Sequence, residues 1–257
     1  MWRSWFCDVS LYLIFDFAVL GVVFSNDINN EDFIRETIRV HNFYRSKVNP
    51  PASNMLYMSW DRILANVALG WSKNCRFEHN KDLKVRGKLH PVFPVVGENI
   101  YVTEGSSLNV TMAIENWHNE VKYYDYVSRR CTNVCGHYTQ LVWASSYKVG
   151  CAFHICPSGI AGFSGHTSVN FVCDYGPGGN FPTHPYLTGK ACSKCFKDRC
   201  ENNLCRNGTL EMSPGDSDSL CDNYCIAVLS IRQLSLIVIA VGVYCVQSKY
   251  PNMFAYL

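Results

Sequence analysis

The chain has 257 residues, a formal net charge of +2, 48% hydrophobic residues and 14 cysteines. The basic residues are scattered along the chain and form no stripe, so we expect no nucleic-acid partner. The hydrophobic content is sufficient for a core, and the many cysteines predict an oxidising compartment in which disulfides persist.

Residues 1–25 have the pattern of a cleaved signal peptide. Arg3 is followed by an apolar run from Leu11 to Phe24, and Ser25 is a small residue at the expected cleavage position. Because Asp16 interrupts the apolar run, an uncleaved membrane anchor is the alternative. Either reading places the rest of the chain in the secretory pathway.

Three segments then show apolar residues at spacings of three and four, which predicts amphipathic helices. Asn30 is the expected N-cap of the first helix, and Ser106 or Ser107 is the expected N-cap of the third. The second segment has the widest apolar stripe and must therefore pack on another element. The three helices are expected over residues 31–48, 60–71 and 110–121.

Two later segments, residues 149–155 and 169–173, alternate apolar residues with other residues. This alternation predicts strands with one buried face. Helices early in the chain and strands late in it indicate an α+β fold.

Four stretches of the chain resemble the signatures of the CAP superfamily, which takes in cysteine-rich secretory proteins, wasp-venom antigens and plant pathogenesis-related proteins. They are GHYTQLVW at 136–143, NFVCDYGPGGNF at 170–181, HNFYR at 41–45 and GENI at 97–100. The resemblance covers roughly residues 30–205 and, within the superfamily, is greatest to the glioma pathogenesis-related proteins. It implies a three-layer α-β-α sandwich followed by a small disulfide-rich hinge.

The C-terminal part carries the pattern of a membrane anchor. Residues 226–246 are apolar except for Arg232, Gln233 and two serines, and as a helix they would span about 30 Å. A removed lipid-anchor signal and a soluble secreted form are the alternatives. The expected segments are a signal peptide, CAP domain, hinge, stalk, transmembrane helix and cytoplasmic tail, at 1–25, 26–185, 186–205, 206–225, 226–246 and 247–257.

Ten cysteines are expected in disulfides, although their pairing cannot be deduced from the sequence. They are Cys75, Cys131, Cys135, Cys151, Cys156, Cys173, Cys192, Cys195, Cys200 and Cys205. Zinc is the alternative for the four thiols of the hinge. Two N-glycosylation sequons begin at Asn109 and Asn207.

No local catalytic motif is present in the sequence, so the candidate site is dispersed. The resemblance implies a cleft formed by two histidines and two acids, here His79, Glu98, Glu120 and His137. Two imidazoles beside carboxylates suit a borderline divalent ion such as zinc. The alternatives are a histidine in a polar loop, a turn cap, a solvated charge at a helix end and a core histidine, respectively. Cys135 and His137 lie two residues apart, so a thiolate–imidazole nucleophile is a further hypothesis, with a disulfide at Cys135 as the favoured alternative.

We therefore expect an extracellular binding protein, membrane-anchored or secreted, with a metal-capable His/Glu cleft that binds a protein or a lipid such as a sterol without turnover. Residues 80–96 are a candidate variable loop near this cleft, with an ordinary surface loop as the alternative. The alternative function is a zinc-dependent peptidase that polarises water between His79 and His137, with Glu98 or Glu120 as general base.

Overall fold

The structure is a computed structural model that describes residues 29–195 and 199–212. Residues 26–213 belong to one compact unit. The expected signal peptide, transmembrane helix and cytoplasmic tail lie outside the described residues, as does the stalk beyond residue 212. Among the residues described, no helix has the length and apolar character needed to cross a membrane.

Five α-helices and eight strands occur in the described residues. The helices are α1 (Glu31–Arg45), α2 (Arg62–Ser72), α3 (Val110–Asn119), α4 (Gly136–Leu141) and α5 (Gly208–Glu211). The strands are β1 (Ser59–Trp60), β2 (Gly97–Glu104), β3 (Tyr124–Asp125), β4 (Arg130–Cys131), β5 (Lys148–Cys156), β6 (Ser168–Gly176), β7 (Arg199–Glu201) and β8 (Leu204–Arg206). A 3₁₀ turn, Glu120–Tyr123, follows α3.

The central sheet is mixed and has the strand order β1-β5-β6-β2. β1 runs parallel to β5, and the other two pairings are antiparallel. Cys151 of β5 lies opposite Cys173 of β6, and Glu98 of β2 lies opposite Asp174 of β6. Because β2 is the last strand in this order, it forms one edge of the sheet.

Helices cover both faces of this sheet. On one face Ala68 of α2 packs with Ile100 and Val172, and a Cβ added at Gly150 would lie 2.0 Å from the backbone nitrogen of Ala65. On the other face α1, α3 and α4 pack against Phe171 and its neighbours. The α+β prediction is confirmed, but the prediction of a single buried face is wrong, because every residue of β6 is buried.

The predicted helices exist with shifted ends. Asn30 caps α1 as predicted, since its side chain accepts a hydrogen bond from the backbone N–H of Phe33, but α1 ends at Arg45. The third helix begins after Asn109, whose Oδ1 accepts from the N–H of Met112 at 2.9 Å. The predicted serine caps were wrong because Asn109 lies nearer the helix and satisfies its free N–H groups. Asp61 sets the start of α2 in the same way.

The ten expected cysteines form five disulfides in the structure. The pairs are Cys75–Cys156, Cys131–Cys135, Cys151–Cys173, Cys192–Cys200 and Cys195–Cys205. The sulfur atoms of Cys192, Cys195 and Cys205 lie close enough together to suit a metal ion, but their disulfide bonds exclude the zinc alternative in this oxidised state. The β7–β8 hairpin is joined to the main domain, because the backbone of Cys205 bonds with Met55 and Tyr57.

The loop over residues 80–96 is packed against the main domain. Phe93 and Val96 are buried against Leu64 of α2. The imidazole of His90 is buried, and its Nδ1 accepts from the backbone N–H groups of Val92 and Phe93. This segment is therefore more than an ordinary surface loop, because its apolar side chains contribute to a core cluster.

Candidate functional site

His79 and Glu98 form the first half of the candidate site. His79 follows α2, and its Nδ1 lies 2.8 Å from Oε1 of Glu98 in strand β2. The same carboxylate oxygen accepts from the backbone N–H of Asn80 at 3.0 Å. The side chain of Glu98 is fully buried, whereas that of His79 is 59% exposed. The carboxylate thus holds one nitrogen of a ring whose other side faces solvent.

His137 and Glu120 form the second half with the same arrangement. Nδ1 of His137 lies 2.6 Å from Oε1 of Glu120. The second oxygen, Oε2, accepts from the backbone N–H groups of His137 and Tyr138. These are N–H groups of the first turn of α4, which have no partner within the helix. Glu120 therefore fixes both the ring and the helix that carries it.

The two halves meet at the edge strand β2. Adjacent side chains of a strand point to opposite faces of the sheet, so Glu98 lies on the α2 face with Ile100, and Asn99 lies on the opposite face. Nδ2 of Asn99 donates to the backbone carbonyl of His137 at 3.0 Å. It also lies 3.3 Å from the hydroxyl of Tyr175. Consecutive residues of β2 thus hold His79 from one face and His137 from the other.

A second buried carboxyl group lies behind Glu98. Asp174 is completely buried, and neither of its carboxyl oxygens has a hydrogen-bond partner among the described residues. Burial raises the pKa of Asp174 well above its ordinary value, and the negative charge of Glu98 raises this pKa further. The direction of this shift favours the uncharged form of Asp174.

A cavity of about 460 Å³ extends from His137 along the outer side of β2. Its lining includes Ile100, Tyr101 and Val102 of β2 and several aromatic rings. The rings of Phe77 and Phe163 meet edge to face, with their centroids 6.1 Å apart, at one side of this cavity. The remaining lining residues are Asn116, Trp117, Asn119, Glu120, Lys122, Tyr123 and His137.

The chemistry of the donor set suits a divalent metal ion that is held through imidazole nitrogens. When Nδ1 carries the proton and donates it to a carboxylate, Nε2 keeps its lone pair for a metal. Among the described residues, the cleft does not bring three His and Glu ligand atoms within 4.8 Å of one another. His79 and His137 are therefore the candidate ligands, and Glu98 and Glu120 are the groups that orient them.

The structure thus forms two separate His–Glu pairs, His79–Glu98 and His137–Glu120, which consecutive residues of β2 contact. That all four residues share one metal-binding cleft stays a prediction. The thiolate–imidazole hypothesis is wrong for this oxidised form, because Cys135 is bonded to Cys131. Sequence reasoning missed Asn99 and Asp174 as parts of the site. Both lie inside the stretches quoted for the resemblance, but only the strand register shows that they contact the site.

Comparisons with known proteins agree with this architecture. A profile of the cysteine-rich secretory protein family, CAP, matches residues 38–175. Glioma pathogenesis-related protein 1 from Mus musculus is 46% identical over 236 residues, which cover 88% of each chain. GLIPR1-like protein 1 from Bos taurus is 48% identical over 181 residues, covering 70% of this chain and 73% of that protein. A crystal structure of NaASP2 with Zn²⁺ is 26% identical with a TM-score of 0.53, covering 68% of this chain and 95% of that one.

Proposed function

The chain belongs to the cysteine-rich secretory protein (CAP) family, and from this premise we propose that it is a binding protein of the secretory pathway. Its cleft holds a divalent ion such as zinc between His79 and His137 and presents it to a protein or lipid partner without turnover. In this proposal the C-terminal segment anchors the protein in the plasma membrane with its CAP domain outside, and Asn109 and Asn207 carry glycans.

One observation carries the metal proposal: each histidine has its Nδ1 held by a carboxylate, at 2.8 Å in one pair and 2.6 Å in the other. This hydrogen bond fixes the tautomer in which Nε2 is free, orients the ring and raises its basicity as a ligand. A bound ion would supply a Lewis acid that attracts an anionic or carbonyl oxygen of the partner. The related NaASP2 has been crystallised with Zn²⁺, which supports the choice of ion.

The geometry favours binding over hydrolysis. A peptidase needs a general base that can reach a water molecule in the cleft. Both oxygens of Glu120 already accept hydrogen bonds from His137 and Tyr138. The side chain of Glu98 is completely buried, with one oxygen bonded to His79 and Asn80. Glu98 is thus shielded from solvent and Glu120 already accepts three hydrogen bonds, so the zinc-dependent peptidase remains the less favoured alternative.

The experiment is to measure zinc content and zinc affinity of the full chain beside a His79→Ala/His137→Ala variant. We expect zinc in the wild-type protein and its loss in the double variant. Glu120→Gln should lower zinc affinity about 10-fold or more, because the ring loses its charged partner while the hydrogen-bonding shape is retained. His166→Ala, an exposed histidine, is the matched control and should bind zinc as the wild type does.

Equal zinc binding by the wild type and the double variant would overturn the site assignment. The same preparations are incubated with a broad set of peptide substrates, with and without a chelator. Turnover that requires zinc, and that disappears in the double variant, would contradict the binding proposal and establish the peptidase.

A further inference from the structure

The outer edge of β2 carries backbone groups that no described residue pairs. The N–H of Gly105 donates to the carbonyl of Thr167 at 2.8 Å, which identifies the odd-numbered residues of β2 as those bonded to β6, since the two ladders share one register. The even-numbered residues therefore point their N–H and C=O groups outward. Trp117 agrees with this, because its Nε1 donates to the carbonyl of Ile100 at 3.2 Å from outside the sheet.

Three outward groups on this edge have no described partner, but Ile100 is only 4% exposed, so the partly exposed Val102, which lines the cavity, is the residue that an added strand would pair with. The N–H of Ile100 and both the N–H and C=O of Val102 have no hydrogen-bond partner among residues 29–195 and 199–212. A sheet edge of this kind is a template for another extended chain. It selects a polypeptide, because only an extended backbone supplies donors and acceptors with the matching repeat.

The groove along this edge has room for the side chains of such a peptide. The cavity of about 460 Å³ is lined by β2 residues 100–102 and by the aromatic residues Phe77, Trp117, Tyr123 and Phe163. Phe77 and Phe163 lie on one side and are about half exposed, at 46% and 47%. A large apolar side chain of the peptide would cover these two rings, since successive side chains of an extended strand point to opposite sides.

The charge in the groove favours an acidic group on the peptide. Lys122 lines the cavity, and within the described part of the chain its ammonium group forms no salt bridge, although it lies 4.9 Å from the ring centroid of Tyr123. The carboxylate of Glu120 is already hydrogen-bonded to the ring of His137 and to the backbone N–H at the N-terminus of α4. A carboxylate on the bound peptide would therefore be attracted to Lys122 within the groove.

We infer that the partner of this cleft is an extended peptide segment that adds as a fifth strand to the edge of β2, with a large apolar side chain against Phe77 and Phe163 and an acidic group near Lys122. This inference deepens the proposed function, since it names a polypeptide rather than a lipid as the partner of the same cleft. Strand addition itself needs no metal ion, so the two proposals can fail separately.

The test uses the full chain and a positional-scanning library of eight-residue peptides with free C-terminal carboxylates. We expect retained peptides to contain an aromatic or large aliphatic residue and an acidic residue. Val102→Pro removes the outward N–H without removing a bond to β6, so it should weaken binding of the retained peptides at least 10-fold. Val102→Thr keeps the N–H and a similar shape, and should bind them as the wild type does.

A second control lies in the peptide itself. N-methylation at alternate residues blocks one hydrogen-bonding edge of an extended peptide and leaves the other edge intact. One set of N-methylated positions should abolish binding and the other set should leave it within about 3-fold of the parent peptide. Equal effects of the two sets would contradict strand addition.

The measurements separate the two proposals. Val102→Pro should retain wild-type zinc affinity, and removing zinc with a chelator should leave the difference in peptide binding between Val102→Pro and Val102→Thr unchanged. If no peptide is retained, if Val102→Pro binds the retained peptides equally well, or if phosphatidylcholine vesicles with cholesterol bind and peptides do not, the inference is overturned. The zinc measurements on the wild type and on His79→Ala/His137→Ala would still test the metal site separately.

Discussion

At the scale of single residues, two buried basic side chains of α1 form hydrogen bonds that hold the segments around the site in place. The guanidinium of Arg45 has no exposure to solvent and donates to the backbone carbonyls of Leu56, Leu141, Trp143, Ala144 and Ser146. Burial lowers its pKa to about 9, so it stays charged at neutral pH. These bonds fix the chain where it leaves α4, the helix that carries His137.

His41 lies one turn earlier on α1 and is uncharged in the folded protein. Its Nδ1 lies 2.8 Å from the carbonyl of Thr37, and its Nε2 lies 3.0 Å from the hydroxyl of Tyr175. Because Nδ1 donates to the carbonyl, Nε2 accepts from the tyrosine, and Tyr175 in turn accepts from Asn99. Burial, assisted by the charge of Arg45, lowers the pKa of His41 to about 4. Protonation of His41 would place a proton on Nε2, which could then no longer accept the hydrogen bond from Tyr175.

We predict that His41 makes the protein less stable as the pH falls from 7 to 4. An unfolded histidine has a pKa of about 6.5, so between the two pKa values the unfolded state binds more protons than the folded state. This group alone lowers the free energy of unfolding by on the order of 3 kcal/mol across that range. Urea denaturation at several pH values, with the disulfides intact, measures the effect.

The matched variants are His41→Gln and His166→Gln. The first should flatten the pH dependence, leaving the part that comes from His90 and His118, whose pKa values burial also lowers. The second replaces an exposed histidine and should retain the full wild-type slope. An unchanged slope in His41→Gln would show that His41 is not the group responsible.

At the scale of secondary-structure elements, short polar side chains decide where the helices begin. Asn30, Asp61, Asn109 and Asn207 each accept hydrogen bonds from N–H groups of the first turn. Two of these caps are also sequon asparagines. A cap uses Oδ1, whereas a glycan would be attached to Nδ2, so one residue can serve both roles.

We predict that the two roles of Asn109 can be separated by substitution. Asn109→Ala removes both the cap and the sequon, and should lower stability by about 1 kcal/mol, equivalent to roughly 2–4 °C in Tm. Asn109→Asp removes the sequon but keeps the capping oxygen, and its negative charge suits a helix N-terminus. Its Tm should therefore stay within about 1 °C of the unglycosylated wild type by calorimetry. An equal loss in both variants would contradict the capping role.

The sequence predicts the elements better than their boundaries and surroundings. Apolar periodicity found the three long helices and two central strands because burial imposes it on the chain. It misplaced the start of α3, since Ser106, Ser107 and Asn109 are all good caps and only the fold selects Asn109. The sequence predicts one buried face for β6, whereas both faces are buried. A strand that is covered on both sides no longer needs polar residues at alternate positions.

For the site too, the sequence indicates which residues take part but not which of them contact each other. The resemblance supplied His79, Glu98, Glu120 and His137, but the residues between them in sequence gave no indication that they form two pairs. Pairing depends on β2 holding Glu98 on one face and Asn99 on the other. That arrangement follows from strand register, which one sequence without its fold does not reveal.

At the scale of the whole molecule, disulfides tie the site segments to the sheet. Cys75–Cys156 joins positions 81 residues apart and lies four residues before His79. Backbone bonds reinforce it, because Phe77 N–H donates to the carbonyl of Ala161 and Ala161 N–H donates to the carbonyl of Cys75. The segment that carries both Phe77 and His79 is therefore fixed to the turn after β5. By contrast, Cys192–Cys200 joins positions 8 residues apart within the hinge.

We predict that removing Cys75–Cys156 impairs both stability and the metal site, whereas removing Cys192–Cys200 impairs stability alone. The loss of loop-closure entropy in the unfolded chain gives about 4–5 kcal/mol for the long loop and about 2.5 kcal/mol for the short one. Paired serine substitutions test this by urea denaturation and zinc titration of the same samples. Zinc affinity should fall at least 10-fold only in Cys75→Ser/Cys156→Ser, because only that variant frees His79 from the position in which Glu98 orients it. If that variant is destabilised but binds zinc with wild-type affinity, the Glu98 carboxylate alone positions His79, and the disulfide serves the fold rather than the site.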